Sequence, residues 1–200
     1  MTPRVVLLDS GGANLGSVQA AFARLDVDAP VTSDWNTIRD ATHVVLPGVG
    51  AANICMARLR ENGLDKLVPR LKQPLIGICV GMQLLFERSE ESDTECLGLL
   101  PGNVRLLPST PGVRVPHMGW NRLETSGKAD HGLTEGLDGH HVYFVHSYAA
   151  LPSDNTLATS THGDPFSAVV AKGLVMGAQF HPERSSAAGA RLLKNFLAIA

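Results

Sequence analysis

A sulfur nucleophile, an imidazole to move its proton and a carboxylate to hold the imidazole are enough to open a carbonyl centre by covalent catalysis. The chain has residues of all three types in settings that fit those tasks. Cys79 lies in Pro74-Leu75-Ile76-Gly77-Ile78-Cys79-Val80-Gly81-Met82-Gln83-Leu84-Leu85-Phe86, an apolar strand that runs straight into a helix. Gly77 and Gly81 flank the cysteine two residues away on either side. That is the spacing of a nucleophile elbow, whose turn is too tight for larger neighbours. An elbow holds its thiol out at the C-terminal edge of a sheet, where open α/β sheets bind ligands. It also places the sulfur at a helix N-terminus, which favours thiolate, and leaves the Val80 N–H for an oxyanion. The spacing alone fits a buried structural cysteine between two glycines equally well. Cys55, inside a helical pattern, and Cys96, beside an apolar turn, read as small core residues.

The base comes from Val175-Met176-Gly177-Ala178-Gln179-Phe180-His181-Pro182-Glu183. In extended chain, residues two apart face the same way. Pro182 keeps His181 extended, so Glu183 can hold one imidazole nitrogen while the other faces a thiol. Alone, this segment also fits a surface histidine before a turn; beside the elbow it reads as base and orienter. Val44-Val45-Leu46-Pro47-Gly48-Val49-Gly50 is a strand ending in a glycine-rich turn. An N–H of Val49 or Gly50 is the second candidate oxyanion donor, although a plain strand-to-helix connection accounts for this segment just as well. Its spacing matches neither a Walker A loop nor a dinucleotide fingerprint.

Elements must bring these pieces together. Short apolar runs recur at Val5–Leu8, Val44–Leu46, Leu75–Ile78, Val142–Val145, Val169–Ala171 and Val175–Phe180. Helical periods lie at Asn14–Leu25, with Asn14 an N-cap candidate, and at Ile54–Leu71, broken at Gly63 and Pro69. Two more begin at Met82 and at Ala187. The first ~90 residues therefore read as β-α-β-α-β-α, a parallel sheet covered by helices. Residues from about 97 to 180 read as an antiparallel extension of the same sheet. Arg88–Glu95 reads as a polar loop. The expectation is one α/β domain spanning residues 1–200.

Composition excludes several classes. Of the 200 residues 44% are hydrophobic and 18% charged, with a net charge of -2, which speaks against a nucleic-acid groove or a basic membrane patch. No apolar run approaches the ~18 residues of a membrane span. Three cysteines without close pairing argue against a disulfide framework; the run Val5–Leu8 is too short for a signal peptide, so a cytoplasmic protein, or a matrix-like one in a compartmented cell, is expected. His141 and His146 fall on opposite faces of one strand and cannot share an ion, so no metal and no cofactor are expected. His43, His131, His140 and His162 read as solvated or capping residues.

Gly77-Ile78-Cys79-Val80-Gly81-Met82-Gln83 and His181-Pro182-Glu183 together resemble the class I, or triad, glutamine amidotransferases, and the resemblance covers essentially the whole chain. Pro116-His117-Met118-Gly119-Trp120-Asn121, Tyr143-Phe144-Val145-His146-Ser147-Tyr148 and Pro47-Gly48-Val49-Gly50 resemble, more narrowly, the glutaminase subunits of imidazole glycerol phosphate synthases. The resemblance implies a three-layer αβα fold. It implies that Cys79 attacks the glutamine side-chain amide and forms a glutamyl thioester, with His181 and Glu183 completing the triad. Gly48, Val49, Gly50 and Val80 would form the oxyanion wall, and Gln83, Glu91, Ser147 and Tyr148 would hold glutamine. Val49's peptide would have to turn to complete the oxyanion hole, which implies a nearly inactive resting enzyme.

The same resemblance implies a partner, a (β/α)8-barrel cyclase that receives ammonia and forms imidazole glycerol phosphate and AICAR in histidine biosynthesis. Asn14, Pro116, His117, Met118, Gly119, Trp120, Asn121 and Arg184 would face it. Trp120 without the resemblance reads as a half-buried core residue. Two positions depart from the family pattern: Arg184 stands where lysine is usual, and Ala13 where glycine is common. Rival readings are the glutaminases of vitamin B6 or anthranilate synthesis, against which Gly119-Trp120-Asn121 argues. A stand-alone cysteine hydrolase and a non-catalytic module are the others.

Overall fold

The computed structural model describes residues 3–11, 14–109, 111–127 and 132–200; Ala13 and His131 lie outside them. Strand β1 (Val5–Leu8) is buried along its length, and helix α1 (Leu15–Ala23) turns Val18, Ala21 and Phe22 inward. Asn14 takes the N-cap position, but its side chain does not cap the helix. Next come β2 (Val31–Thr32) and α2 (Trp35–Asp40), a unit that the sequence pattern does not reveal. Two strand residues and under two turns of helix are too short for a period to register. The Asp34 carboxylate nevertheless caps α2, accepting from the Thr37 N–H at 2.7 Å.

Strand β3 (His43–Gly48) leads to α3 (Ala52–Glu61). Gly63, at φ +68°, separates α3 from α4 (Leu64–Leu67), and a 3-10 turn over Val68–Arg70 takes in Pro69. Strand β4 (Leu75–Cys79) passes directly into α5 (Val80–Gln83). The segment is thus one β-α unit richer than expected.

Short strands β5 (Arg88–Ser89) and β6 (Thr94–Glu95) pair antiparallel in place of the expected polar loop, because Ser89 and Thr94 turn inward. Strands β7 (Asn103–Leu106), β8 (His117–Arg122), β9 (Glu124–Thr125), β10 (His141–His146) and β11 (Tyr148–Ala150) follow. The chain ends with β12 (Thr156–His162), β13 (Asp164–Lys172), β14 (Val175–Ala178) and α6 (Ser186–Leu197). Helix α6 buries Ala188, Leu192, Leu193 and Phe196.

The main sheet has eight strands in the order β2-β1-β3-β4-β14-β13-β12-β9. From β2 to β14 neighbours run parallel; β13, β12 and β9 extend the sheet antiparallel. This is the three-layer α/β architecture that the resemblance implies. The second half is less uniform than a single extension. Strands β8 and β10 form a separate ribbon, and β11-β7-β5-β6 form a sheet of four strands. Alternation explains the difference. Every second residue of β10 is buried, the mark of a strand with one covered face, whereas β13 is buried continuously over Phe166–Ala171.

Candidate active site

Strand β4 lies between β3 and β14, and all three point the same way, so their C-terminal ends meet at one edge. Register pairs Gly48 with Cys79 on one side and Ala178 with Ile78 on the other. The cysteine, the glycine-rich turn and the strand leading to His181 are therefore neighbours through the sheet.

Cys79 has φ +53°, a strained value for a side-chain-bearing residue, and is 3% exposed. Its two flanking glycines make the turn feasible. A Cβ on Gly81 would stand 1.8 Å from the Leu46 carbonyl oxygen, and one on Gly77 would stand 2.5 Å from the Gly81 oxygen. Backbone packs on backbone there, as the elbow reading requires. The helix behind the elbow starts at Val80, two residues before the expected Met82, and ends at Gln83. So short a helix offers local N–H groups and little macrodipole.

His181 is extended, with φ -95° and ψ 100°, but Pro182 opens a 3-10 turn through Arg184. Glu183 therefore reaches the imidazole by curling back and not by extended-chain parity. His181 Nδ1 donates to Glu183 Oε1 at 2.7 Å, which leaves Nε2 for the sulfur. The base is pinned to β10 on both sides. The His181 N–H donates to the Tyr143 carbonyl at 2.9 Å, and Ser185 Oγ bridges the His181 carbonyl (2.6 Å) and the Tyr143 N–H (2.9 Å). Burial works against the imidazolium, but the hydrogen bonds and charges of Cys79 and Glu183 outweigh it and raise His181 to about 10. Burial likewise opposes the Glu183 carboxylate; His181 outweighs it and holds that group below its ordinary value.

Above this arrangement opens a cavity of about 470 Å³. Cys79, Val80, Gln83, Glu91, Ser147, Tyr148, His181, Val49, Gly50, Asn14, Pro116 and Arg184 all line it, together with Val145 and His146. Gly48 lies just behind, on a small adjoining cavity shared with Ser10 and Ile78. Glu183 is shielded behind His181, its side chain 1% exposed. Glu91 Oε2 accepts from the Ala52 N–H at 2.7 Å, so it caps α3 while facing the cavity. Arg184 lies over the Tyr143 ring at 5.9 Å, and Trp120 meets that ring edge-on at 6.2 Å.

Three residues expected on a partner surface turn their side chains inward: Asn14, His117 and Asn121, whose Nδ2 bonds His117 Nε2 and the Thr161 carbonyl. Asn14 Nδ2 donates to Glu183 Oε1, so the carboxylate is held from the start of α1 as well as by the imidazole. His117 is 4% exposed, because β8 alternates and Met118, Trp120 and Arg122 project from its open face, the first two at 63% and 54%. His43 is also buried, bonded to Thr42 Oγ1 and the Ile199 carbonyl, and not solvated as its sequence context implies.

Gln179 is the main functional residue that the motifs do not reveal. Its Nε2 donates toward Cys79 Sγ at 3.8 Å, and its Oε1 accepts from Gln83 Nε2 at 3.0 Å. Parity is the available signal, since Gln179 stands two residues before His181 on the same extended segment. Among the described residues no group of three or more histidine, cysteine or acidic side chains is placed to hold a metal ion. Nor is any helix among them long and apolar enough to cross a membrane.

Residues 6–200 match the family model described as glutamine amidotransferase class-I. The chain belongs to this family. Its curated relatives include the imidazole glycerol phosphate synthase subunit HisH of Xanthomonas euvesicatoria, 56% identical over 194 residues and 96% of each chain. The subunit of that name from Xylella fastidiosa is 54% identical over 193 residues, again 96% of each. Among solved structures, a glutamine amidotransferase superposes with a TM-score of 0.74 at 23% identity, covering 98% of both chains. Another glutamine amidotransferase, from Thermotoga maritima, gives 0.60 at 18%, over 98% of this chain and 83% of the other. At such identities the likeness concerns the fold.

This amidotransferase also carries a cluster of histidines beside the cavity, with His117 and His146 buried and His162 half-buried. His117 and His162 stack at 4.1 Å, and His117 meets His146 edge-on at 5.1 Å. Burial first, then the His162 imidazole, lower His117 to about 4; burial leads again in lowering His146 to about 3. Both stay neutral in the fold, whereas the unfolded chain takes up their protons near the ordinary value of 6.5. Between that pH and the folded values the unfolded state binds more protons, so stability falls as pH falls. The slope is at most about 1.4 kcal/mol per pH unit for each histidine. Melting temperature is expected to drop between pH 6.5 and pH 4.5, and to drop less in His117→Phe. A flat profile in the wild type would mean that His117 and His146 are already charged when folded.

Proposed function

We propose that the chain is the glutaminase subunit of an imidazole glycerol phosphate synthase, a single amidotransferase domain over residues 1–200, acting with a (β/α)8-barrel cyclase. The observation that carries the reading is the meeting of Cys79, the Gly48–Gly50 turn and His181 at one sheet edge, beneath a cavity lined by Gln83, Glu91, Ser147 and Tyr148. The relatives at 54% and 56% identity favour this subunit over other glutaminases of the family.

In this reading the Cys79 sulfur adds to the side-chain carbonyl carbon of glutamine. The oxyanion is met by the Val80 N–H and by the turned peptide at Val49. The His181 imidazolium gives its Nε2 proton to the departing nitrogen, the C–N bond breaks, and ammonia leaves a glutamyl thioester. Water then gives its proton to the same nitrogen, attacks the thioester and releases glutamate and the thiolate. Glu183, held by Asn14, keeps the tautomer through both steps. The Val49 carbonyl accepts from Cys55 Sγ at 3.6 Å. Turning that peptide gives up the contact, which fits an enzyme idle until its partner is engaged.

Free ammonia at neutral pH is mostly ammonium and no nucleophile, so it must pass to the cyclase under cover. Met118, Trp120, Pro116 and Arg184, around the cavity mouth and the open face of β8, are the proposed contact surface. A reducing cytoplasm suits the three free cysteines. Glutamate release is expected to be slow for the chain alone. It should rise modestly with cyclase, and steeply with cyclase plus its nucleotide substrate. A rate indifferent to both additions would instead support a stand-alone hydrolase.

A further inference from the structure

The histidine stack has a direction. His146 Nδ1 lies 2.8 Å from the Tyr148 carbonyl oxygen, which can only accept, so Nδ1 carries the proton. In a neutral imidazole Nε2 is then an acceptor. It faces His117 Nδ1 at 3.1 Å, so that nitrogen is protonated too. His117 Nε2 in turn accepts from Asn121 Nδ2 at 3.3 Å. The orientation of the Asn121 amide is fixed independently. Its Nδ2 also donates to the Thr161 carbonyl at 2.8 Å, and its Oδ1 accepts from the Arg122 N–H.

The far end of the chain of bonds reaches the cavity wall. The Tyr148 carbonyl receives a second hydrogen bond, from Gln83 Nε2 at 2.8 Å. The other Gln83 N–H goes to Gln179 Oε1. Both Gln83 donors are thereby spent, and only its oxygen is left to offer a ligand.

We propose that Asn121, His117 and His146 are positioning residues, a one-way chain of neutral hydrogen bonds that fixes the Tyr148 carbonyl and, through it, the Gln83 amide in the wall of the glutamine pocket. The proposal rests on reading the cavity as that pocket. It also gives β8 two functions: one face carries Met118 and Trp120 outward, and the other starts the chain inward.

Two measurements test it. Nitrogen-15 NMR of labelled histidines in the wild-type chain is expected to show His117 and His146 neutral at pH 7, each with its proton on Nδ1. An Nε2–H tautomer at either residue overturns the proposal. In the assembled enzyme with cyclase and nucleotide, His117→Phe keeps the ring packing against Phe144 and Phe166 but removes both nitrogens. KM for glutamine is expected to rise about tenfold, with kcat within about twofold, as for lost ground-state positioning. His117→Asn, whose amide N–H stands in for Nδ1–H, should recover most of the loss. An unchanged KM in His117→Phe, or a failure of His117→Asn to recover it, overturns the proposal. The tautomer result does not depend on catalysis. A wild-type enzyme that hydrolyses no glutamine would unseat the glutaminase reading and leave the NMR result to decide the chain.

Discussion

Cys79→Ala is expected to lower glutamine hydrolysis by on the order of 10⁴-fold or more, as for the loss of a nucleophile that works as a unit with its base. Neither of the other thiols can replace it. Cys55 and Cys96 are each pushed up to about 11 by burial and stay protonated at neutral pH. The variant should fold. Alanine meets the same backbone strain as cysteine at φ +53°, and the lost sulfur costs about 1 kcal/mol of packing. His181 supplies a second readout. Its elevated value depends in part on the sulfur, so the imidazole is expected to titrate lower in Cys79→Ala. Turnover near the wild-type level in a folded variant would remove Cys79 from the mechanism, and an unshifted His181 would deny the contact between them.

How much of this is written in the residues follows from the range of each interaction. The elbow is largely local: Gly77, Cys79 and Gly81 lie within five residues, and a Cβ on Gly77 would collide with Gly81 and Met82 inside the same turn, whereas the collision that Gly81 avoids is with Leu46 on β3 and depends on the fold. The meeting of Cys79 with His181 is readable one level up, because parallel strands in a βα-wound sheet must deliver their C-terminal ends to a common edge. Single side-chain partnerships across the fold are not readable. Asn14 holds Glu183 across 169 positions and Gln179 approaches Cys79 across 100, and no period or motif encodes such a pairing. Asn14 stands out in the sequence for its cap chemistry, yet its amide serves the carboxylate and leaves α1 uncapped. His117 falls on the expected surface by association with Trp120, whereas strand alternation at Met118 and Trp120 puts it inside. The ribbon of β8 and β10 escapes prediction because an alternating strand says that one face is covered, not what covers it.

The tightest contact at the site leads to the second large effect. In Gly81→Ala the new Cβ would lie 1.8 Å from the Leu46 oxygen and 2.8 Å from the Leu46 carbonyl carbon. No rotamer change relieves a clash with backbone, so β3 or α5 must move. Overpacking in a dense interior costs about 1–3 kcal/mol where side chains can yield, and about 3 kcal/mol or more is expected here. For a chain of this size that corresponds to a melting temperature lower by about 10 °C. The displacement also falls between the two halves of the site, because Leu46 leads into the Gly48–Gly50 turn while Gly81 closes the elbow on Cys79. A shift of about 1 Å between a nucleophile and its oxyanion donors costs on the order of 10²-fold in rate. Gly81→Ala is therefore expected to lose both stability and turnover. Gly16→Ala, in α1 with open space around the added methyl, should lose neither and serves as the control. Melting curves and glutamate release on the two variants decide it. If Gly81→Ala matched the wild type in both, β3 and α5 would not be in direct backbone contact, and the close packing that exposes Cys79 to the cavity would have to be abandoned.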